Sequence, residues 1–362
     1  MKSPEPCPWI ANIPAYVPGR SKEDIAHSYG VSSPVKLASN ENPLGPSPKA
    51  AEAAREALTD AHLYPDPDAR ALREAASRHF GCPAESIIAG NGSDEIIDLV
   101  CRAYLRPGDT VVVPACTFSY YTIAALSCGA TVRTAAMKGN HIDPRALLAC
   151  AGPETRIVFV ANPNNPTGTY LAKDDVLGLI EGVPEGCIVL VDEAYASFAR
   201  RDDFMSCTAL VAVYPHLVCV HTLSKSHGLA GVRVGFGVMP PAIRENVMRI
   251  KQPFNVNILA QKAGVAALED RDFLKRTLET TWEAIDTLYA EFDRLGLVYE
   301  PSQTNFVMVH IGPQAHRIYE DLLRRGFITR WMASFGLPEH IRVSAGTPEE
   351  IRAFVKAMEE VL

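Results

Sequence analysis

Two short, nearly uninterrupted apolar runs, Arg156–Ala161 and Cys187–Val191, constrain this chain more than any other feature. A strand with one wet face alternates apolar and polar residues. A strand that is apolar along its whole length is covered on both faces, as in a parallel sheet between helices. The surrounding sequence repeats that theme. Ser86–Ala89, Thr110–Val113, Thr131–Ala135, Leu217–Thr222 and Val234–Val238 read as further strands. Ala50–Leu58, Ala69–Phe80, Ser93–Tyr104 and Tyr120–Ser127 read as helices, with Gly81 as a stop after the second. The expected class is α/β, with a mostly parallel central sheet.

Past Pro253 the pattern changes. A helical stretch with few breakers runs from about Ala260 to Leu295. Strand-like Asn305–His310, helical His316–Arg325, strand-like Ile341–Ser344 and a helix from Pro348 follow. This predicts a large domain over 51–258 and a smaller α+β domain over 259–362. Residues 1–50 are rich in proline and read as an extended arm with turns that packs on the smaller domain. A chain of 362 residues has room for both.

Composition narrows the function. The net charge of −7 is spread along the chain and no basic stretch marks a nucleic-acid footprint. No apolar run approaches the ~20 residues of a membrane span. Prolines interrupt the N-terminus where a signal peptide needs an apolar stretch, so the expected location is cytoplasmic. The nine cysteines form no CxxC pair, against a zinc site or disulfide framework and in keeping with a reducing compartment. His221 and His227 lack metal-ligand spacing and read as structural, so no metal is expected.

Five segments fall at the ends of predicted strands, where open α/β sheets bind ligands: Gly90–Asp94, Asn162–Gly168, Asp192–Tyr195, Thr222–Lys225 and Gly231–Gly235. Lys225 is one of eleven lysines, but it follows the apolar run Leu217–Val220, within Ser-Lys-Ser. A lysine that forms a Schiff base needs a cleft that strips water from its ammonium; on position alone a surface lysine is the commoner reading. Asp192 ends four aliphatic residues, and is either solvated at the strand tip or paired with a cation such as a pyridinium nitrogen. Gly90–Asp94 runs from strand to helix. It reads either as a phosphate site at a helix N-terminus or as a plain N-cap. Arg233, between glycines, suits a phosphate clamp or an ordinary ion pair. Asn165 by itself suits a turn.

Taken in order, these segments resemble the fold-type-I pyridoxal-phosphate aminotransferases, in particular the histidinol-phosphate aminotransferase branch. The resemblance also rests on Lys36–Pro46, Tyr64-Pro65-Asp66, Gln252–Asn257 and Ile341–Thr347, and covers nearly the whole chain. It implies pyridoxal 5'-phosphate as cofactor. Lys225 would carry the cofactor and shuttle a proton, Asp192 would pair with the ring nitrogen, and Tyr195 and Asn165 would hold the ring oxygen. Phe118, often tyrosine in the family, would stack on the ring. The backbone of Ser93 and Asp94, with Thr222, Ser224 and Arg233, would hold the phosphate. Tyr64 would reach it from a neighbouring subunit, which implies a homodimer with shared active sites. Arg342, Arg330 and Tyr16 would bind the substrate.

Trp331 departs from the family, where proline is usual. It either tunes the pocket toward an aromatic substrate or is buried structurally. The expected reaction is transamination of L-histidinol phosphate with 2-oxoglutarate. An aromatic amino-acid aminotransferase and a threonine-phosphate decarboxylase share the scaffold. A non-catalytic regulator would need a DNA-binding module that the short N-terminal stretch does not supply.

Overall fold

The structure, a computed structural model, describes residues 3–13 and 19–362. Its centre is a seven-stranded sheet in the order Ile87–Gly90, Gly235–Val238, Leu217–Thr222, Ile188–Asp192, Thr155–Ala161, Thr110–Pro114, Thr131–Ala135. All neighbouring pairs are parallel except those of Gly235–Val238, which runs antiparallel to both its partners. The two apolar runs are the middle of this sheet, and Ile188–Asp192 is buried at every residue. Alternate side chains feed two cores. Val158, Val160, Val189 and Val191 face one, and Ile157, Phe159, Ile188 and Leu190 the other. Each such side chain contributes roughly 1.5–3 kcal/mol by leaving water.

A four-stranded antiparallel sheet, in the order Val298–Tyr299, Phe306–His310, His340–Ser344, Arg330–Trp331, forms a second layer. Its core packs against helices Arg271–Arg294, Ala315–Arg324 and Pro348–Val361. The last is capped at Thr347, whose side chain accepts from Glu350 N–H while Glu350 reaches back to the Thr347 N–H. Leu37 enters this core, and Val35–Lys36 pairs in parallel with Phe327–Ile328.

Two expectations need correction. Residues 1–50 are not wholly extended: Ser21 and Asp24 form a capping box that starts a helix over Lys22–Tyr29. The stretch from Ala260 is two helices, Ile258–Glu269 and Arg271–Arg294, broken at Asp270, whose φ, ψ of −87°, 71° leave the helical region. Asp270 bonds instead to Ser47 Oγ at 2.6 Å and to Lys49 at 3.3 Å. The first of the two helices packs its alanines, Ala260, Ala263 and Ala267, into the large-sheet core beside Ala50 and Leu72. Helices Pro144–Cys150, Lys173–Gly182 and Pro241–Ile250 fall where the sequence reading assigns no element.

Candidate active site

Strand register brings the singled-out loops together. Gly235 pairs with Gly90 and with Thr222, Asp192 with Val220 and with Ala161. These residues therefore lie side by side along one edge of the sheet, the edge where open α/β sheets hold ligands. A cleft opens there. Every residue that the resemblance assigns to the cofactor lines it, apart from Tyr64. Tyr64 lies outside the cleft of its own chain, 82% exposed and stacked on Phe254 at 4.6 Å.

Asp192 forms the floor. It is buried, with Oδ2 accepting from Tyr121 Oη at 2.7 Å and Oδ1 from the Ala194 N–H at 3.0 Å. Burial pushes its carboxyl up to about 6, against the pull of those two donors. Tyr121 is itself fully buried. It stacks on Phe159 at 5.0 Å and meets the ring of Phe118 edge-on at 5.5 Å.

The far wall carries groups that suit an anion. The helix Gly92–Tyr104 begins at the cleft with no side-chain cap, and its first N–H groups have no acceptor within the helix. Glu95 Oε2 accepts from Asn91 N–H at 2.6 Å and from Asn255 Nδ2 at 2.8 Å, which fixes the turn into that helix. Gly235 lets the neighbouring strand approach: a Cβ there would lie 2.5 Å from the Gly92 carbonyl carbon and 2.6 Å from Ser93 N. Arg233, in the left-handed region at φ 65°, pairs with Asp94 at 3.2 Å. Thr222 Oγ1 bonds Ser224 Oγ at 2.8 Å and the Ser224 N–H at 3.1 Å.

Between floor and far wall stands Lys225, half-buried. Its Nζ donates to Ser39 O at 3.3 Å and lies 5.9 Å from the Tyr195 ring centre. Tyr195 Oη accepts from Asn40 Nδ2 at 2.9 Å, and Asn165 Oδ1 accepts from Arg342 Nη1. His221 and His227 sit behind this loop. Burial holds both near 3, so both are neutral, and His221 Nε2 bonds Thr208 Oγ1 at 2.8 Å. Among the described residues no group of side chains is placed to hold a metal ion, and no helix is long and apolar enough to cross a membrane.

A second hollow adjoins the first and shares Phe118, Asn165, Tyr195 and Lys225 with it. Arg330, Arg342 and Phe335 line it. Arg342 is buried. Its Nη2 donates to Ala38 O at 2.7 Å and its guanidinium lies 4.9 Å from the Phe306 ring centre. Tyr16 lies outside the described residues. Trp331 follows Arg330 in a strand and so points to the opposite face. Its indole donates to Pro338 O at 2.7 Å and packs on His316 and Tyr319, away from this hollow.

The donor set suits a phosphorylated pyridine aldehyde. A buried carboxylate with two neutral donors is stabilised by a cationic partner, which a protonated pyridine nitrogen provides. Helix N–H groups, two hydroxyls and a guanidinium suit a phosphate. Phe118 offers a flat ring and Lys225 an amine. Sequence reasoning assigned no role to Tyr121 and Asn40, whose signals were weak. One is the second of two tyrosines in a mostly apolar helix, the other one of two asparagines in an N-terminal motif.

A cleft of this make-up on this fold defines a class of amino-group transferases. The family profile described as aminotransferase class I and II matches residues 32–358, and the chain belongs to that family. Within it, the chain is similar to the histidinol-phosphate aminotransferase of Symbiobacterium thermophilum, 43% identical over 353 residues that span 98% of this chain and 97% of that one. The enzyme of the same name from Bdellovibrio bacteriovorus is 41% identical over 362 residues, spanning 98% and 97%. Among solved structures, the histidinol-phosphate aminotransferase of Sinorhizobium meliloti, in complex with pyridoxal-5'-phosphate, superposes with a TM-score of 0.90 at 28% identity, covering 98% and 96% of the two chains.

Proposed function

We propose that this chain transfers the amino group of L-histidinol phosphate to 2-oxoglutarate, giving imidazole-acetol phosphate and glutamate, with pyridoxal phosphate as cofactor. The observation that carries the reading is the placing of Lys225 between a buried acid and an anion cradle, with two arginines beyond it. The full-length similarity to histidinol-phosphate aminotransferases supports it.

Asp192 would hold the ring nitrogen, Asn165 and Tyr195 the ring oxygen, and the backbone of Ser93 and Asp94, with Thr222, Ser224 and Arg233, the phosphate. Phe118 would pack on the ring. When bound, pyridoxal phosphate supplies a carbonyl that takes an amine and a ring that withdraws electrons from the amine-bearing carbon. The chain's own groups do the rest. Lys225 Nζ would take the proton from that carbon and return it to the carbon on the other side of the amine nitrogen. Asp192 keeps the ring nitrogen protonated by pairing with it. Arg342 orients the reacting end of the substrate, and Arg330 with Tyr16 receives the substrate phosphate. Tyr64 would complete the cofactor phosphate site of a second copy, so the working unit is a homodimer. The cleft belongs to a large unit over 51–258, to whose core the helix Ile258–Glu269 adds its alanines, and residues 1–50 with the rest of 259–362 form a smaller unit beside it.

Phe118 and Phe335 on the substrate side also suit an aromatic amino acid, which would need no phosphate contact. Arg330→Ala separates the two readings. Its kcat/KM for histidinol phosphate should fall about 10–100-fold, the worth of a charge-assisted hydrogen bond. The value for phenylalanine should stay within about twofold of the native one. Equal losses for both donors would remove the phosphate role of Arg330.

A further inference from the structure

Tyr195 is held by a residue from the other end of the chain. Asn40 is 2% exposed, and its Nδ2 donates to Tyr195 Oη at 2.9 Å. The remaining bonds of Asn40 fix which way its amide points. Its N–H donates to Ser344 Oγ at 3.0 Å, so the Ser344 hydroxyl proton turns to Asn40 Oδ1, at 2.8 Å. With Oδ1 committed as acceptor, the NH2 group faces Tyr195. The Asn40 carbonyl accepts from Asn305 Nδ2 at 3.0 Å. The backbone sits at φ 56°, in the left-handed region. Asparagine enters that region more readily than most residues, and a network this complete holds it there.

The direction of the Asn40–Tyr195 bond has a chemical consequence. Tyr195 Oη accepts from Asn40, so its own proton is free to point into the cleft. We propose that Asn40 is a positioning residue that makes Tyr195 a one-way donor toward the ring oxygen of the cofactor. This rests on the reading of Tyr195 as a donor to that oxygen. A donor there stabilises negative charge on the oxygen, in competition with the proton the oxygen shares with the adjoining nitrogen. The Asn40 amide therefore sets the pH at which the bound cofactor loses that proton. It also ties this setting to the small sheet, through Ser344 and Asn305.

Other charges reach the same place. Lys225 and Arg233 lie on the loops after the Leu217–Thr222 strand, and Asp192 on the strand preceding Tyr195. Tyr121 and Asp94 lie on two helices, and Arg330 and Arg342 on the small sheet. All stay in place when Tyr195 is changed to phenylalanine, so a double-variant cycle cancels them.

The readout is the visible absorbance of the holoenzyme titrated against pH. Tyr195→Phe should move the midpoint up by about one pH unit, the worth of a hydrogen bond to a charged oxygen. Asn40→Gly accepts the left-handed backbone and removes the amide. It should move the midpoint up by about half a unit in the native background and leave it unmoved beside Tyr195→Phe. Asn40→Asp keeps the shape but turns the donor into an acceptor, drawing the Tyr195 proton away from the cleft. Its shift should be larger with Tyr195 present than with phenylalanine, and it decides the matter if Asn40→Gly does not fold. No shift with native Tyr195, or equal shifts in both backgrounds, overturns the role of Asn40. An unmoved midpoint in Tyr195→Phe alone overturns the reading of Tyr195 instead.

Discussion

Lys225→Ala should abolish transamination and leave the purified protein without the visible absorbance of a covalently held cofactor. The side chain stands half-buried where the floor and the anion cradle meet, with Nζ on Ser39 O at 3.3 Å. Among the described residues it is the lysine that lines both adjoining hollows of the cleft. Its removal would take away the proposed point of attachment and the proposed proton carrier together. The proton carrier alone is worth about 10²–10⁴-fold, so the combined loss should leave turnover at background. An added small primary amine should restore part of the rate, since it can enter the space left and carry the proton. The measurement is glutamate formation, with an absorbance spectrum of the same sample. Turnover within tenfold of the native enzyme would remove Lys225 from the chemistry.

Asp192→Asn should lower kcat by at least about 100-fold and weaken cofactor binding. Asparagine keeps the shape, and its amide can still meet Tyr121 Oη and the Ala194 N–H, so folding should survive. The negative charge is lost. Removing one member of a buried pair costs about 3–5 kcal/mol, which is two or more powers of ten in rate. Burial already pushes the Asp192 carboxyl up to about 6. In the absence of a cation partner, the ionised form is therefore the costly one as pH rises past that value. A cationic ring nitrogen reverses this and holds the acid ionised at neutral pH. Cofactor titration and steady-state rates on the same variant check both effects. A variant with native affinity and a rate within tenfold would contradict the pairing.

Much of the fold is legible because the strands at its centre are buried on both faces. Arg156–Ala161 and Cys187–Val191 have no alternation to misread, and each lies within one residue of an observed strand. The break at Asp270 is harder to see. Nothing in the local sequence ends a helix there; Ser47 and Lys49, far away in the chain, hold the carboxylate. Lys173–Gly182 carries two glycines, Gly178 and Gly182, which mask its helical period. The helix at Lys22–Tyr29 is signalled by its Ser21–Asp24 capping box, but the prolines around it are equally a signal for turns.

The cleft is legible for a different reason. Its side chains come from loops that directly follow strands, so sequence position nearly gives spatial position. Asp192, Thr222 and Gly235 are neighbours because their strands are paired in register. What local sequence hides is the partner of each group. Tyr121 bonds Asp192 across 71 residues and Asn40 bonds Tyr195 across 155. Both partners depend on chain packing that no spacing encodes. Trp331 shows the converse. It adjoins Arg330 in sequence, yet strand alternation sends it into the small core with His316 and Tyr319.

The most direct test is a steady-state comparison of amino donors, with 2-oxoglutarate as acceptor and purified holoenzyme. The account predicts that L-histidinol phosphate is used with a kcat/KM at least about 10–100-fold above that of phenylalanine or tyrosine, the margin expected from a phosphate held by Arg330, and that one glutamate forms for each donor consumed. Equal or higher efficiency with the aromatic amino acids would contradict it, as would consumption of the phosphorylated donor without glutamate.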